Sequence, residues 1–130
     1  MELNLENFPI VEVSHLQQGS LAEFIQQLDQ LLQRNQPFVL IRDLKSKFNE
    51  PSPSQAQWKQ TIQWIKANTQ ALFLVKGWIE IAEEKVDPMY LDRDQKIWKI
   101  SFYQVQTQEE AILLSQKLLS STVIVFNVLE

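Results

Sequence analysis

Apolar residues recur at helical spacing in three stretches of the chain and crowd into short runs between them. Leu21, Phe24, Ile25, Leu28, Leu31 and Leu32 form one stripe, which predicts a helix over Ser20–Asn35. Trp58, Ile62 and Ile65 predict a second over Gln55–Thr69, and Ala111, Leu114, Leu118 and Leu119 a third over Gln108–Leu119. Each stretch opens on the same local chemistry. Ser20-Leu-Ala-Glu23, Ser54-Gln-Ala-Gln57 and Thr107-Gln-Glu-Glu110 fit the capping-box pattern, in which a hydroxyl accepts the N3 amide and the N3 side chain returns to the cap's own N–H.

The intervening runs are β-branched and aromatic. Pro9–Ser14 alternates, while Phe38–Asp43 and Leu72–Val75 are nearly continuous, as in strands covered on both faces. Ile100–Val105 and Val123–Leu129 complete a set of about five. The order β-α-β-α-β-connector-β-α-β predicts an α/β fold: a mostly parallel sheet of about five strands flanked by three or four helices. Lys45–Pro53, with two prolines, two serines and three charges, reads as a surface loop. Gly77–Lys99 is ambiguous, because Trp78-Ile-Glu-Ile-Ala-Glu-Glu fits either an alternating strand or the start of a helix before Asp87-Pro88 breaks it.

Length changes this picture little. Domains most often hold about 100–150 residues, so a chain of 130 residues reads as one domain spanning 1–130. Composition removes whole classes of chemistry. With no cysteine, disulfide frameworks, thiolate metal sites and cysteine nucleophiles are excluded. One histidine excludes His-rich metal sites, and two glycines, Gly19 and Gly77, cannot build a phosphate-cradling Gly-rich loop. A net charge of −4 argues against binding a phosphate backbone, so no nucleic-acid partner is expected. The N-terminus lacks a basic segment followed by an apolar one, and the longest apolar runs, Ala71–Val75 and Val123–Phe126, fall far short of the about 20 residues of a membrane span. A cytoplasmic protein without a membrane span is the expectation.

Candidate chemistry is sparse. Ser14 and His15 are adjacent at a strand end and so point to opposite faces, which spoils them as a nucleophile–base pair. The acids Glu80, Glu83, Glu84, Asp87, Asp92 and Asp94 are interleaved with Lys85, Arg93, Lys96 and Lys99, the pattern of a solvated, salt-bridged face. No catalytic set, metal site or cofactor is therefore expected. The most site-like segment follows the second predicted strand, where Arg42, Asp43 and Lys45 lead through Ser52 to Ser54 at a helix N-terminus. In open α/β sheets ligands collect beyond the carboxyl ends of strands. Against this stands the plain reading that Ser54 only caps a helix. Trp64 is a further candidate. It lies about 120° from the centre of the Trp58/Ile62/Ile65 stripe on a helical wheel. Its wheel neighbours Gln57, Gln60, Ala67 and Asn68 are uncharged, as at the core of a protein interface. Packing of Trp64 under the Gly77–Lys99 connector is the alternative.

One resemblance emerges from these pieces. A strand ending in Asp43, a loop, a helix containing Trp58 and Trp64, the strand ALFLVKG, a connector, and then ISFYQVQTQEEAILLSQKLL together resemble the STAS-like proteins of the SpoIIAA-like group over Pro37–Leu119. The resemblance implies a small α/β domain that acts by binding or regulation without catalysis. In anti-sigma-factor antagonists of that group a serine opening the second helix is phosphorylated. Ser54, or less closely Ser52, occupies the comparable place, but the aspartate-serine-glycine motif around it is absent. The terminal run Val123–Leu129 also departs from the family pattern. The expectation is thus a non-enzymatic module that docks a partner protein or a small apolar ligand, with Trp64 as a contact in a homodimer or partner interface. An acidic immunity or inhibitor protein that masks a basic toxin or nuclease is the alternative, since size and charge suit that role.

Overall fold

The structure is a computed structural model, and it describes residues 2–14, 21–43, 54–82, 92 and 95–129. Strand β1 (Glu2–Asn4) forms an antiparallel pair with β2 (Ile10–Ser14) through a turn that contains a cis Phe8–Pro9 bond. Helix α1 (Leu21–Leu32), strand β3 (Phe38–Asp43) and helix α2 (Gln55–Ala67) follow. A 3-10 turn (Ala71–Leu74) leads into β4 (Val75–Ile81), and a helical turn at residues 95–98 precedes β5 (Phe102–Val105). Helix α3 (Gln108–Leu129) comes last. The five strands lie side by side in the order in which they occur along the chain, and β2 through β5 are parallel. The architecture is the expected mostly parallel α/β sheet.

A sheet whose parallel strands advance steadily in one direction receives crossovers of one hand on one face. Phe24, Leu28, Leu31 and Leu32 of α1, Ile65 of α2 and Trp98 of the 95–98 turn accordingly pack with Val11, Val13, Phe38, Leu40, Trp78 and Phe102 in one core. The opposite face carries Val39, Ile41, Ile79 and Ile81, covered by Ala111, Leu114, Leu118 and Leu119 of α3. Strand β3 alternates between the two cores, which is why Phe38–Ile41 are all buried and read as an unbroken apolar run. Opposite Gly77, a Cβ would lie 2.8 Å from Leu118 Cδ1 and 3.1 Å from Tyr103 Cε2. The absent side chain lets α3 approach the sheet.

Helix ends follow their local chemistry. Ser54 Oγ accepts the Gln57 N–H at 3.1 Å while Gln57 Oε1 accepts the Ser54 N–H at 3.0 Å, a complete capping box. Thr107 Oγ1 accepts the Glu110 N–H at 3.1 Å and donates to Glu110 Oε1 at 3.2 Å, so its box closes between side chains. Ser20 lies outside the described residues. Helix α1 stops where Asn35 adopts a left-handed φ of 55°, a conformation asparagine tolerates, ahead of Pro37.

Two expected strands change and one open reading resolves. Leu72–Val75 is not a strand: Leu72 N–H bonds to Asn68 O and Phe73 N–H to Gln70 O, so helical turns persist and the strand starts at Val75. A short apolar run alone does not separate these conformations. The alternation Trp78-Ile-Glu-Ile is the strand. Val123–Leu129 is not a strand either, since α3 continues to Leu129. Ser120-Ser121-Thr122 contains no proline or glycine, so an established helix extends at one hydrogen bond per residue. The β-branched residues beyond it cost only tenths of a kcal/mol each, about 0.7 at most. The helix is β5's successor in the second layer, and the fifth strand is supplied instead by β1. β1 is three residues long, too short to show a period.

Helix α2 is also turned relative to expectation. Its buried residues are Thr61 and Ile65, with Gln57, Ile62, Trp64 and Asn68 half-buried, while Trp58 is 37% exposed. Thr61 goes inside because its hydroxyl donates to Gln57 O at 2.9 Å, satisfying it within the helix.

Candidate functional site

Because β2–β5 are parallel, their carboxyl ends share one side of the molecule, the side from which α1 and α2 begin. The register places Val11, Leu40, Trp78 and Phe102 in one row across the sheet. Two residues further along each strand, and so on the same face, comes the row Val13, Arg42, Glu80 and Gln104. The sheet surface thus changes in one step from aromatic and aliphatic to a guanidinium, a carboxylate and an amide on adjacent strands. Glu80 is only 9% exposed, and Arg42 and Gln104 are half-buried. All three engage partners.

Of the residues expected at the site, Arg42 and Asp43 are separated by the alternation of β3. Arg42 joins the row just described, whereas Asp43 is in register with Ile81 on the α3 side. Ser54 opens α2 from that same side of the sheet, but its Oγ is committed to the cap. Lys45, Ser52 and His15 lie outside the described residues. Trp64 is not the exposed tryptophan the wheel suggested. It is half-buried, packs against the first core, and donates from Nε1 to Asp29 Oδ1 at 3.3 Å. The rotation of α2 toward Thr61 carries Trp64 onto α1. Beside this contact a groove of about 140 Å³ runs between the N-terminal halves of α1 and α2, lined by Ala22, Ile25, Gln57, Gln60 and Thr61.

Three residues that matter here carry no local signal. Glu80 reads in sequence as part of a solvated acidic face, yet it is buried on the sheet, while Asp92 does pair with Lys96 at 3.1 Å in solvent. Gln104 and Trp78 had no motif to mark them. The signal that finds all three is register: once β3, β4 and β5 are aligned, their penultimate residues Arg42, Glu80 and Gln104 fall in one row, and Trp78 stands in the next row back on the same face. Trp78 has a further property. Its Nε1 is the only buried side-chain nitrogen or oxygen among the described residues without a hydrogen-bond partner.

Among the described residues there is no group of three or more histidine, aspartate or glutamate side chains placed to hold a metal ion. No described helix is long and apolar enough to cross a membrane. No family model, curated protein or solved structure matches the chain.

Proposed function

We propose that this chain is a non-catalytic, cytoplasmic regulatory module of the STAS-like kind, which acts by binding at the carboxyl end of its sheet. The observation that carries this reading is the row Arg42–Glu80–Gln104, set across three adjacent parallel strands one residue from their carboxyl ends. A cation, an anion and an amide side by side recognise hydrogen-bonding partners with direction as well as charge. In the STAS-like reading such a surface passes a signal by being occupied or vacant.

The test is recovery of the chain from its host with whatever it holds. Wild type, Arg42→Gln and Glu80→Gln are purified in parallel, with co-purifying proteins and small molecules identified by mass spectrometry. A stoichiometric component held by the wild type and lost from both variants, with each variant's thermal midpoint within a few degrees of wild type, supports the reading. A component retained equally by all three places binding elsewhere. A component that the purified protein converts to product overturns the non-catalytic assignment. A basic toxin or nuclease as the retained partner turns the reading to the immunity class.

A further inference from the structure

Among the described residues the sheet ends on β1 at one side and on β5 at the other. An edge strand presents backbone N–H and C=O groups that can template a strand from another chain. Strand pairing fixes which groups those are. Ser101 O accepts the Trp78 N–H and Val105 O accepts the Ala82 N–H, both at 2.9 Å, so Ser101, Tyr103 and Val105 turn toward β4. Phe102 and Gln104, which alternate with them, turn their backbone groups outward. On β1, three residues long, the central Leu3 turns its N–H away from β2. Each edge meets a glutamine there. Leu3 N–H donates to Gln27 Oε1 of α1 at 2.8 Å, and Phe102 N–H donates to Gln95 Oε1 of the 95–98 turn at 3.0 Å. The partners are 24 and 7 residues apart in the chain, so neither contact is a local turn bond, and both glutamines are half-buried.

We propose that Gln27 and Gln95 are autoinhibitory contacts that hold the two edges of the sheet closed against pairing with a second copy of this chain. Each amide oxygen stands where the carbonyl of an added strand would sit. It is the same kind of acceptor that a strand offers, so the edge N–H is satisfied without a partner. An incoming strand must first displace the glutamine, and it then replaces one hydrogen bond by another with little net gain. The edges are short enough for one side chain to matter: Leu3 carries the outward N–H of β1, and Phe102 carries one of the two on β5. Both guards come from the layer that covers the aromatic face, so the packing that builds the core also sets them in place.

The experiment compares the full chain with Gln27→Met and Gln95→Met, which keep the length of the side chain and remove its acceptor. Gln27→Ala or Gln95→Ala replaces a variant whose thermal midpoint shows that it does not fold. Amide exchange is followed by NMR on 15N-labelled protein, and association by sedimentation velocity. In dilute wild type the Leu3 and Phe102 amides should exchange slowly although both lie on outer edges. Each substitution should speed exchange of the matching amide about tenfold. As concentration rises, each variant should form an oligomer that wild type does not form, and the released amide should regain protection as a second copy's carbonyl takes it. Fast exchange of both amides in wild type overturns the proposal. So do folded variants that keep the wild-type state of association at every concentration. An oligomer that leaves the released amide unprotected also overturns it, because the new contact then lies away from the edge.

Discussion

The face of the sheet beneath α1 is closed by aromatic rings from four separate segments: Phe24 on α1, Trp78 on β4, Trp98 on the 95–98 turn and Phe102 on β5. The face beneath α3 is closed by one helix lying on valine and isoleucine. The first arrangement spreads burial over elements distant in sequence, and each ring buries roughly 150–250 Å². The second depends on how closely a single helix can approach, which Gly77 governs. The Arg42–Glu80–Gln104 row belongs to the aromatic face, whereas on β4 the opposite face stays apolar to Ile81.

Substitutions can sharpen or break this contrast. The largest effect is expected from Phe24→Ala, which should lose about 3–5 kcal/mol in urea unfolding because it removes a ring 1% exposed at the centre of the aromatic face. A near-neutral result would mean that the four rings do not act as one core. Trp64→Ala should cost about 2–3 kcal/mol, below a fully buried tryptophan, since the ring is half-buried and its N–H bonds to Asp29. A cost within about 0.5 kcal/mol would return Trp64 to the surface. On the aliphatic face, Gly77→Ala should cost about 1–2 kcal/mol by pressing on Leu118 and the Tyr103 ring. The penalty should shrink in a Leu118→Ala background; equal penalties in both would show that α3 does not sit this close. The smallest effect, about 1 kcal/mol, is expected for Ser54→Ala through loss of the α2 cap. Loss of the partner retained by wild type, with no loss of stability, would instead make Ser54 a contact residue.

Much of the fold could be read from spacing. Strand β3 announced itself because both its faces are apolar, and α1 because Phe24, Leu28, Leu31 and Leu32 repeat at helical intervals. What hydropathy missed, it missed for identifiable reasons. Thr61 counts as polar, yet its hydroxyl is satisfied one turn back, and that one residue misoriented the reading of α2 and with it Trp64. Glu80 was lost among acids close in sequence, because its neighbours that matter, Arg42 and Gln104, are near only through strand pairing. A site assembled by register leaves no local motif. The single residue of the expected site that joins the row, Arg42, was found from its position at a strand end rather than from its neighbours.

The strand order has a consequence for how the chain acquires its shape. Every strand after β1 pairs with the one made just before it, so the sheet can grow from the N-terminus as synthesis proceeds. The aromatic side is roofed during that growth, because its helices lie between the strands. Its counterpart is not. Until the polypeptide extends well beyond Val105, Val39, Ile41, Ile79 and Ile81 lack the α3 residues that cover them among the described residues. A ribosome stalled in that interval would display an aggregation-prone aliphatic surface, which the last helix then covers.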